Sequence, residues 1–426
     1  MRLISLFTGA GGLDLGLEAA GFETAVAVEH DADAVRTLRA NRPGWTVLET
    51  DIHAPHAAPA KLLAVAGLQP REATLLAGGP PCQPFSKSGY WHRGESRRLD
   101  DPRARTLDAY LAVLREALPE VFLLENVPGL AFNAKAEGIT FIRDQIEAIN
   151  RDCGVRYTVC AAQLNAAAYG VPQLRQRVFL VGHREGQPFD FPAPTHTVPP
   201  PVSTADGTVK ASQLELTGQP LPPCRTAWDA LGHLEVDGQA KELQATGKWA
   251  ALLASIPEGH NYLFHTERGG GLPLFGWRTR YWSMLLKLSK RRPSWTITAQ
   301  PGPAIGPFHW DSRRLSRQEL AALQTFPSDY TVVGSHRSAQ RQLGNAVPSA
   351  LAHVVGHAIR RQLLGHDLPP LGESPLLPAV NGTVPKPRPA CAVTHPPYLA
   401  MVGPHAAHPG TGRGPGAQRR KSEPVA

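Results

Sequence analysis

Over its first 185 residues the chain alternates short apolar runs with helical patterns. Leu3–Phe7 reads as a strand, then comes a glycine-rich turn, then a helix running to about Ala20. Thr24–Glu29 reads as a second strand, residues 32–41 as a helix and Thr46–Glu49 as a third strand. Ala73–Ala77, Val121–Leu124 and Arg177–Gly182 continue the series, the last around the apolar run Val178–Val181. Strands interleaved with helices in this way predict a parallel sheet covered by helices on its faces.

The texture changes near residue 190. Pro192, Pro194, Pro199, Pro200 and Pro201 mark a linker, and the stretch to about 310 has weak periodicity and many glycines and prolines, which predicts a second, irregular domain. Helical periodicity returns at 316–325, where Ser316 and Glu319 have the spacing of a capping box, and again at 349–364. The first strand starts at residue 3, so no earlier helix can cover its part of the sheet. The amphipathic stretch 349–364 can supply that cover, which makes the first domain discontinuous. The boundaries expected are 1–190 and 328–366 for that domain, 191–327 for the inserted one, and a proline-rich, disordered tail over 367–426.

Composition narrows the class only modestly. A chain of 426 residues with 42% hydrophobic positions buries a large core, and no apolar stretch is long enough to cross a bilayer. The five cysteines form no CxxC pair, which argues against a zinc site or disulfide framework and for a reducing, cytoplasmic setting. The formal charge of +8 is mild, but its placement is not. Between Arg268 and Trp310 there is no acidic residue, while Arg268, Arg278, Arg280, Lys287, Lys290, Arg291 and Arg292 are interleaved with aromatics, among them Phe275, Trp277, Tyr281, Trp282 and Trp295. That pattern suits phosphate neutralisation and base contact, and a solvated basic face is its bland alternative.

Candidate chemistry gathers where strands end. Phe7, Gly9, Gly11 and Gly12 lie in a turn between strand and helix, with a spacing unlike that of a pyrophosphate loop. Glu29 ends the second strand, where a carboxylate can accept from ribose hydroxyls, and Asp51 with Ile52 follows the third, where they can meet an adenine. An adenosine cofactor without a diphosphate fits, S-adenosylmethionine being the commonest. Cys82 follows the strand at 73–77 inside Gly78-Gly79-Pro80-Pro81-Cys82-Gln83-Pro84-Phe85-Ser86, a rigid loop suited to a nucleophile, a redox thiol or a tight turn. Glu125 ends the strand at 121–124 and suits a general acid. Alternate positions Gln173, Arg175 and Arg177 are expected to converge on one face around an anion or carbonyl.

These segments together resemble the DNA (cytosine-5) methyltransferase family. The resemblance rests on Phe7–Gly12, Glu29, Asp51, Gly79–Gln83, Glu125-Asn126-Val127, Gln173-x-Arg175-x-Arg177, Arg314–Pro327 and Gln342–Pro348, in the family's order. It implies a Rossmann-like α/β sheet that binds S-adenosylmethionine, without metal, and an inserted target-recognition domain. By resemblance Cys82 adds to C6 of a flipped-out cytosine, Glu125 acts at N3, and Arg175 and Arg177 hold the base carbonyl. Phe7, Gly9, Gly11, Gly12, Glu29, Asp51, Ile52, Pro81 and Asn345 would line the cofactor, while Gln83, Ser86, Gln173, Arg278 and Arg280 would touch DNA. The implied partner is double-stranded DNA, with a cognate restriction endonuclease acting on the same site and a monomeric enzyme as further expectations. The alternatives are a transfer-RNA-methylating branch and a non-catalytic DNA-binding relative.

Overall fold

The structure, a computed structural model, describes residues 1–81, 105–130, 137–199, 221–277 and 281–405. Its core is a seven-stranded sheet. In chain order the strands are β1 (Arg2–Leu6), β2 (Glu23–Glu29), β3 (Val47–Glu49), β4 (Leu75–Gly78), β5 (Val121–Asn126), β6 (Cys160–Asn165) and β8 (Gln176–His183). They lie side by side as β3-β2-β1-β4-β5-β8-β6. The first five are parallel, and β8 runs antiparallel to both β5 and β6. This corrects the all-parallel expectation. Only the short turn Ala166–Tyr169 and the two-residue β7 (Gln173–Leu174) separate β6 from β8, too little chain for a parallel crossover. β6 itself, Cys-Ala-Ala-Gln-Leu-Asn, has no β-branched residue to announce it.

Alternate side chains of the strands point to opposite faces, and each face has its own core. Ile4, Leu6, Val26, Leu76, Phe122 and Leu180 face helices α3 (Pro59–Ala66), α4 (Arg105–Ala117) and α5 (Glu137–Cys153). On the other face, Leu3, Leu75, Val121, Leu123 and Phe179 meet α1 (Gly12–Ala19) and the late helix α9 (Ser349–Gln362). The chain thus returns from its far end to cover its first strand. The contact is close: a Cβ on Gly16 would sit 2.2 Å from the Ser349 carbonyl oxygen and 2.4 Å from the Ala352 Cβ. α2 (Ala32–Asn41) is capped by Asp31, whose side chain accepts from the Ala34 amide.

Residues 221–277 and 281–310 are irregular, with α6 (Ala227–Leu231), short 3-10 turns and the two-residue β9 (Ser294–Trp295) paired to β7. They enclose an aromatic-rich cluster including Tyr262, Leu274, Phe308 and Tyr398. α7 (Arg317–Leu323) carries the capping box: Ser316 Oγ accepts from the Glu319 amide at 3.2 Å, and the Glu319 carboxylate accepts from the Ser316 amide at 2.7 Å. It packs with α6 and α8 (His336–Asn345) in one cluster that also takes in Ala10 and Leu15. A boundary at 327 therefore cuts through a continuous core rather than a linker.

The tail is also corrected. Residues 367–405 pack along the molecule, ending in the short helix α10 (Pro396–Leu399), while 406–426 lie outside the described residues. Proline content reads as disorder, but prolines lower the entropy an irregular segment loses on ordering. Leu371, Leu376, Leu377, Val393, Tyr398 and Met401 supply apolar anchors.

Two outcomes follow from this packing. Gly16→Ala forces backbone apart at the α1–α9 contact and is expected to destabilise the fold by about 3 kcal/mol in urea titration. Asp14 in α1 is fully buried, and neither of its carboxylate oxygens has a hydrogen-bond partner. Burial pushes its pKa up to about 7. The folded chain then holds this proton more tightly than the unfolded one, so ionisation costs stability as pH rises from about 4 to about 7, and by a constant amount above. Asp14→Asn should raise Tm at pH 8, with a gain that shrinks by roughly 2 to 3 kcal/mol towards pH 5. A gain independent of pH would show that Asp14 does not titrate in this range.

Candidate active site

The parallel strands all present their C-terminal ends on one rim, and the order reverses between β1 and β4, the place where open α/β sheets form a crevice. The loop after β1 rises into it. Phe7, Gly9 and Gly11 all have left-handed backbone, with φ of 56°, 56° and 84°. At Phe7 that conformation costs roughly 1 kcal/mol or more, a strain of the kind held at working sites. Gly9 is the residue here whose side-chain direction opens into free space. Gly11 and Gly12 are closed off by the chain itself. A Cβ at Gly11 would meet Leu38 and the Tyr330 hydroxyl, and one at Gly12 would lie 2.3 Å from the Val347 carbonyl oxygen. Their small size thus serves packing against the returning segment. Tyr330 fixes the loop further, its hydroxyl donating to the Ala10 carbonyl at 2.7 Å.

Glu29 lies beside this loop, 6% exposed. Its Oε2 accepts from the Gly9 amide at 2.7 Å, and its Oε1 from the amides of His30 and Asp31, both at 2.8 Å. Burial works against the charge, but the His30 and backbone donors outweigh it and hold the carboxyl below its ordinary range. Asp51 is exposed past β3, accepting from the His53 amide at 2.9 Å, and Ile52 is half-buried against the sheet core. Asn345, the last residue of α8, is exposed.

On the other side of the switch, β4 leads to Gly79-Pro80-Pro81, and β5 ends in Glu125-Asn126. Asn126 ties the two ends together: its Nδ2 donates to the Pro80 carbonyl at 2.9 Å, and its Oδ1 accepts from the Val127 amide at 2.8 Å. The Pro81 carbonyl in turn accepts from Thr106 at 3.1 Å. Glu125 is 7% exposed, and a Cβ at position 79 would lie 2.8 Å from its Oε2, so the loop passes directly over the carboxyl and needs glycine there. Arg177 Nε meets Glu125 Oε1 at 2.8 Å. Burial raises the Glu125 pKa, and Arg177, then Arg175, oppose the rise without cancelling it. The arrangement holds a carboxyl that keeps its proton to higher pH than an ordinary glutamate, beside a fixed guanidinium. That is the equipment of an acid next to an anion-holding group.

Gln173 and Arg175 do not join Arg177. The strand breaks at Arg175, whose amide bonds back to the Gln173 carbonyl at 3.0 Å, so strict alternation fails. Both side chains are fully buried in the seam between the sheet and the later segments. Arg175 donates to the carbonyls of Gly344 at 2.8 Å and Ile297 at 3.2 Å. Gln173 donates to the Leu323 carbonyl and the Gln324 side chain, and accepts from the Ile297 amide at 3.0 Å. This corrects their assignment: Gln173 has no face left for DNA, and Arg175 reaches Glu125 only through its charge. Cys82, Gln83, Ser86, Arg278 and Arg280 lie outside the described residues, while Pro81 is exposed at the edge of the crevice. Sequence reasoning gave no separate role to Asn126, although its side chain holds the Pro80–Pro81 loop.

Among the described residues, no cluster of histidine, cysteine, aspartate or glutamate could hold a metal ion, and no helix is long and apolar enough to cross a membrane. The fold resembles that of a putative DNA modification methyltransferase encoded within an Escherichia coli prophage. The two share a TM-score of 0.56 and 21% identity, over 85% of this chain and 99% of that one. It also resembles Spodoptera frugiperda DNMT2, with a TM-score of 0.53 at 15% identity over 85% of this chain and 99% of that one. In sequence the chain is 41% identical over 385 residues to the Type II methyltransferase M.SacI of Streptomyces achromogenes, covering 85% of this chain and 93% of that protein. It is 34% identical to the Type II methyltransferase M.PspPI of a Psychrobacter species, over 85% and 79% of the two. The sequence model of the C-5 cytosine-specific DNA methylases matches residues 1–361. The chain belongs to that family and is a DNA (cytosine-5-)-methyltransferase.

Proposed function

We propose that the enzyme uses S-adenosylmethionine to methylate C5 of a cytosine within a specific duplex sequence, through a covalent bond from Cys82 to C6 of a flipped-out base. The observation that carries this reading is the buried Glu125–Arg177 pair beneath the Gly79–Pro81 loop. Cytosine C5 is a poor nucleophile. A thiolate added at C6 converts the ring to an enamine with electron density at C5, provided that N3 is protonated or hydrogen-bonded as the addition occurs. Glu125, its pKa raised by burial, supplies that proton, and Arg177 holds the developing charge on the base. After C5 is methylated, loss of the C5 proton, expulsion of Cys82 and return of the N3 proton to Glu125 restore the aromatic ring. A water is the candidate base for the C5 proton. A base stacked and paired inside a duplex is out of reach of a side-chain nucleophile, which is why flipping is required.

The chain's own residues suit the cofactor. The open space at Gly9 admits a ligand against the backbone. Three amides occupy Glu29, so one acceptor position remains on Oε2, enough for one ribose hydroxyl rather than two. Phe7, Asp51, Ile52, Pro81 and Asn345 would complete the site, Asp51 Oδ2 towards an exocyclic amine. When bound, the cofactor supplies an electrophilic methyl group on a sulfonium. Residues 221–310, with Arg278 and Arg280, are assigned to target recognition. The relatives' designation as Type II methyltransferases supports a host-protecting role in a restriction-modification system, with a cognate endonuclease. We further assign a cytoplasmic monomer.

Incubation with a labelled methyl donor and either unmethylated duplex DNA or transfer RNA tests the substrate, and label confined to RNA would overturn it. Cys82→Ser should abolish transfer, and near-normal turnover would make the thiol structural. Glu125→Gln should lower kcat by about 10²–10⁴-fold. Asn126→Ala, which frees the Pro80 carbonyl, should lower kcat by about ten- to a hundredfold while leaving the KM for the methyl donor within about twofold.

A further inference from the structure

The family match ends at residue 361, yet the described chain continues to 405 and is bonded along its whole path. It starts on the catalytic lobe, where Leu371, Leu376 and Leu377 pack against the core shared by α1 and α9. Glu373 then accepts from Arg225 at 2.7 Å and lies 3.3 Å from the buried His196. The Pro378 carbonyl accepts from Arg225 Nε at 2.9 Å, and the Asn381 amide donates to Asp229 at 2.8 Å. From there the segment crosses the irregular lobe. Arg388 pairs with Asp311 at 2.9 Å, and the Cys391 amide donates to the Ala254 carbonyl at 3.0 Å. Tyr398 is 4% exposed in the lobe's aromatic cluster, stacked on Trp249 at 5.9 Å, with its hydroxyl donating to the Lys248 carbonyl at 2.7 Å. The path ends at Pro273, whose carbonyl accepts from the Gly403 amide at 3.2 Å and lies the same distance from His405 Nε2.

Pro273 is four residues before Trp277, over whose ring Arg268 lies at 5.1 Å, and five before Arg278. The segment is therefore fixed to the catalytic lobe at one end and to the basic, aromatic loop of the other lobe at its far end. Ten prolines between 369 and 404 keep it extended without regular secondary structure. A loose tail would not bury a tyrosine or place a carboxylate between an arginine and a buried histidine.

We propose that residues 371–405 form a strap that sets the position of the DNA-recognition lobe on the catalytic lobe, with Tyr398 and Glu373 as positioning residues for site recognition. This rests on the assignment of residues 221–310 to target recognition. The strap touches neither the Glu29 side of the crevice nor Glu125, so it acts on the DNA and leaves the cofactor site alone.

The test uses the full-length chain on unmethylated genomic DNA. It measures kcat, the KM for DNA, the KM for the methyl donor, and the ratio of methylation at the true site to sites changed by one base. Tyr398→Ala should raise the KM for DNA about tenfold and lower the site ratio, with the KM for the methyl donor within about twofold. Tyr398→Phe, which keeps the ring, should restore most of the loss. Glu373→Ala, at a half-exposed position that leaves the core intact, should act in the same direction and keeps the test open if Tyr398→Ala fails to fold. The double variant Arg278→Ala/Arg280→Ala reports on the lobe assignment itself. If that variant changes the site ratio while both strap variants leave it unchanged, the strap proposal is wrong and the lobe assignment stands. If none of them changes it, the lobe assignment falls and the strap proposal with it. A parallel rise in both KM values would reduce the strap to general stability and overturn it.

Discussion

The contact between α1 and α9 is the constraint on which the rest of the structure depends. Leu3 of β1 and Leu75 of β4 would face solvent on one side of the sheet without the cover of α1 and α9. α9 packs at a distance that requires glycine at position 16, where a Cβ would lie 2.2 Å from the Ser349 carbonyl oxygen. Because the cover comes from the far end of the chain, everything between β8 and α8 has to loop out and return. The irregular lobe is the consequence of that route. The returning segment also meets the crevice on its way: Tyr330 bonds to the Ala10 carbonyl, Arg341 pairs with Asp31, and Thr37 Oγ1 donates to Gln342 at 2.8 Å. The crevice beside β1 is thus shaped by residues more than 300 positions away, and Gly12 is glycine because Val347 occupies the space a side chain would need.

A buried glutamate beside a buried arginine is a poor way to gain stability, since desolvation of both charges offsets most of their attraction. The 2.8 Å pair of Glu125 and Arg177 is better understood through what the offset leaves behind. Desolvation outweighs both arginines, so the carboxyl's pKa lies above its ordinary value. Arg177 is held by that carboxyl and by the Gln176 carbonyl at 2.7 Å, which fixes its guanidinium in advance of any ligand. Arg175, two residues earlier, cannot substitute for it: both of its terminal nitrogens are committed to carbonyls of Gly344 and Ile297. Two arginines that look equivalent in sequence therefore do different work, one at the crevice and one as a fastener between three segments.

That distinction marks where the sequence stopped being readable. Strands with contiguous apolar runs, the capping box at Ser316 and the order of polar residues at strand ends were all legible, because each depends on neighbours within a few positions. β6 was not, since its alanines and cysteine carry little strand preference and its pairing is set by β8. The convergence expected of Gln173, Arg175 and Arg177 failed because alternation presumes an unbroken strand, and the break at Arg175 is set by β9, a segment some 120 residues later. Asp14 looked like one polar position in an apolar helix, and its burial depends on packing by helices that arrive later in the chain.

The proline-rich end illustrates the same limit from the opposite direction. Composition separates chains that can bury a core of their own from chains that cannot, and residues 367–405 cannot. It carries no information on whether a surface already built by the rest of the protein offers anchors. Here that surface does: a pocket for Tyr398 beside Trp249, a cation at Arg225 for Glu373, and an apolar patch for Leu376 and Leu377. Each anchor is modest alone, and each is made cheaper by the prolines between them, which leave little backbone freedom to lose. A segment of this kind orders only because the lobes beneath it are already formed. Its energetic weight therefore falls on the geometry between the lobes rather than on the stability of either.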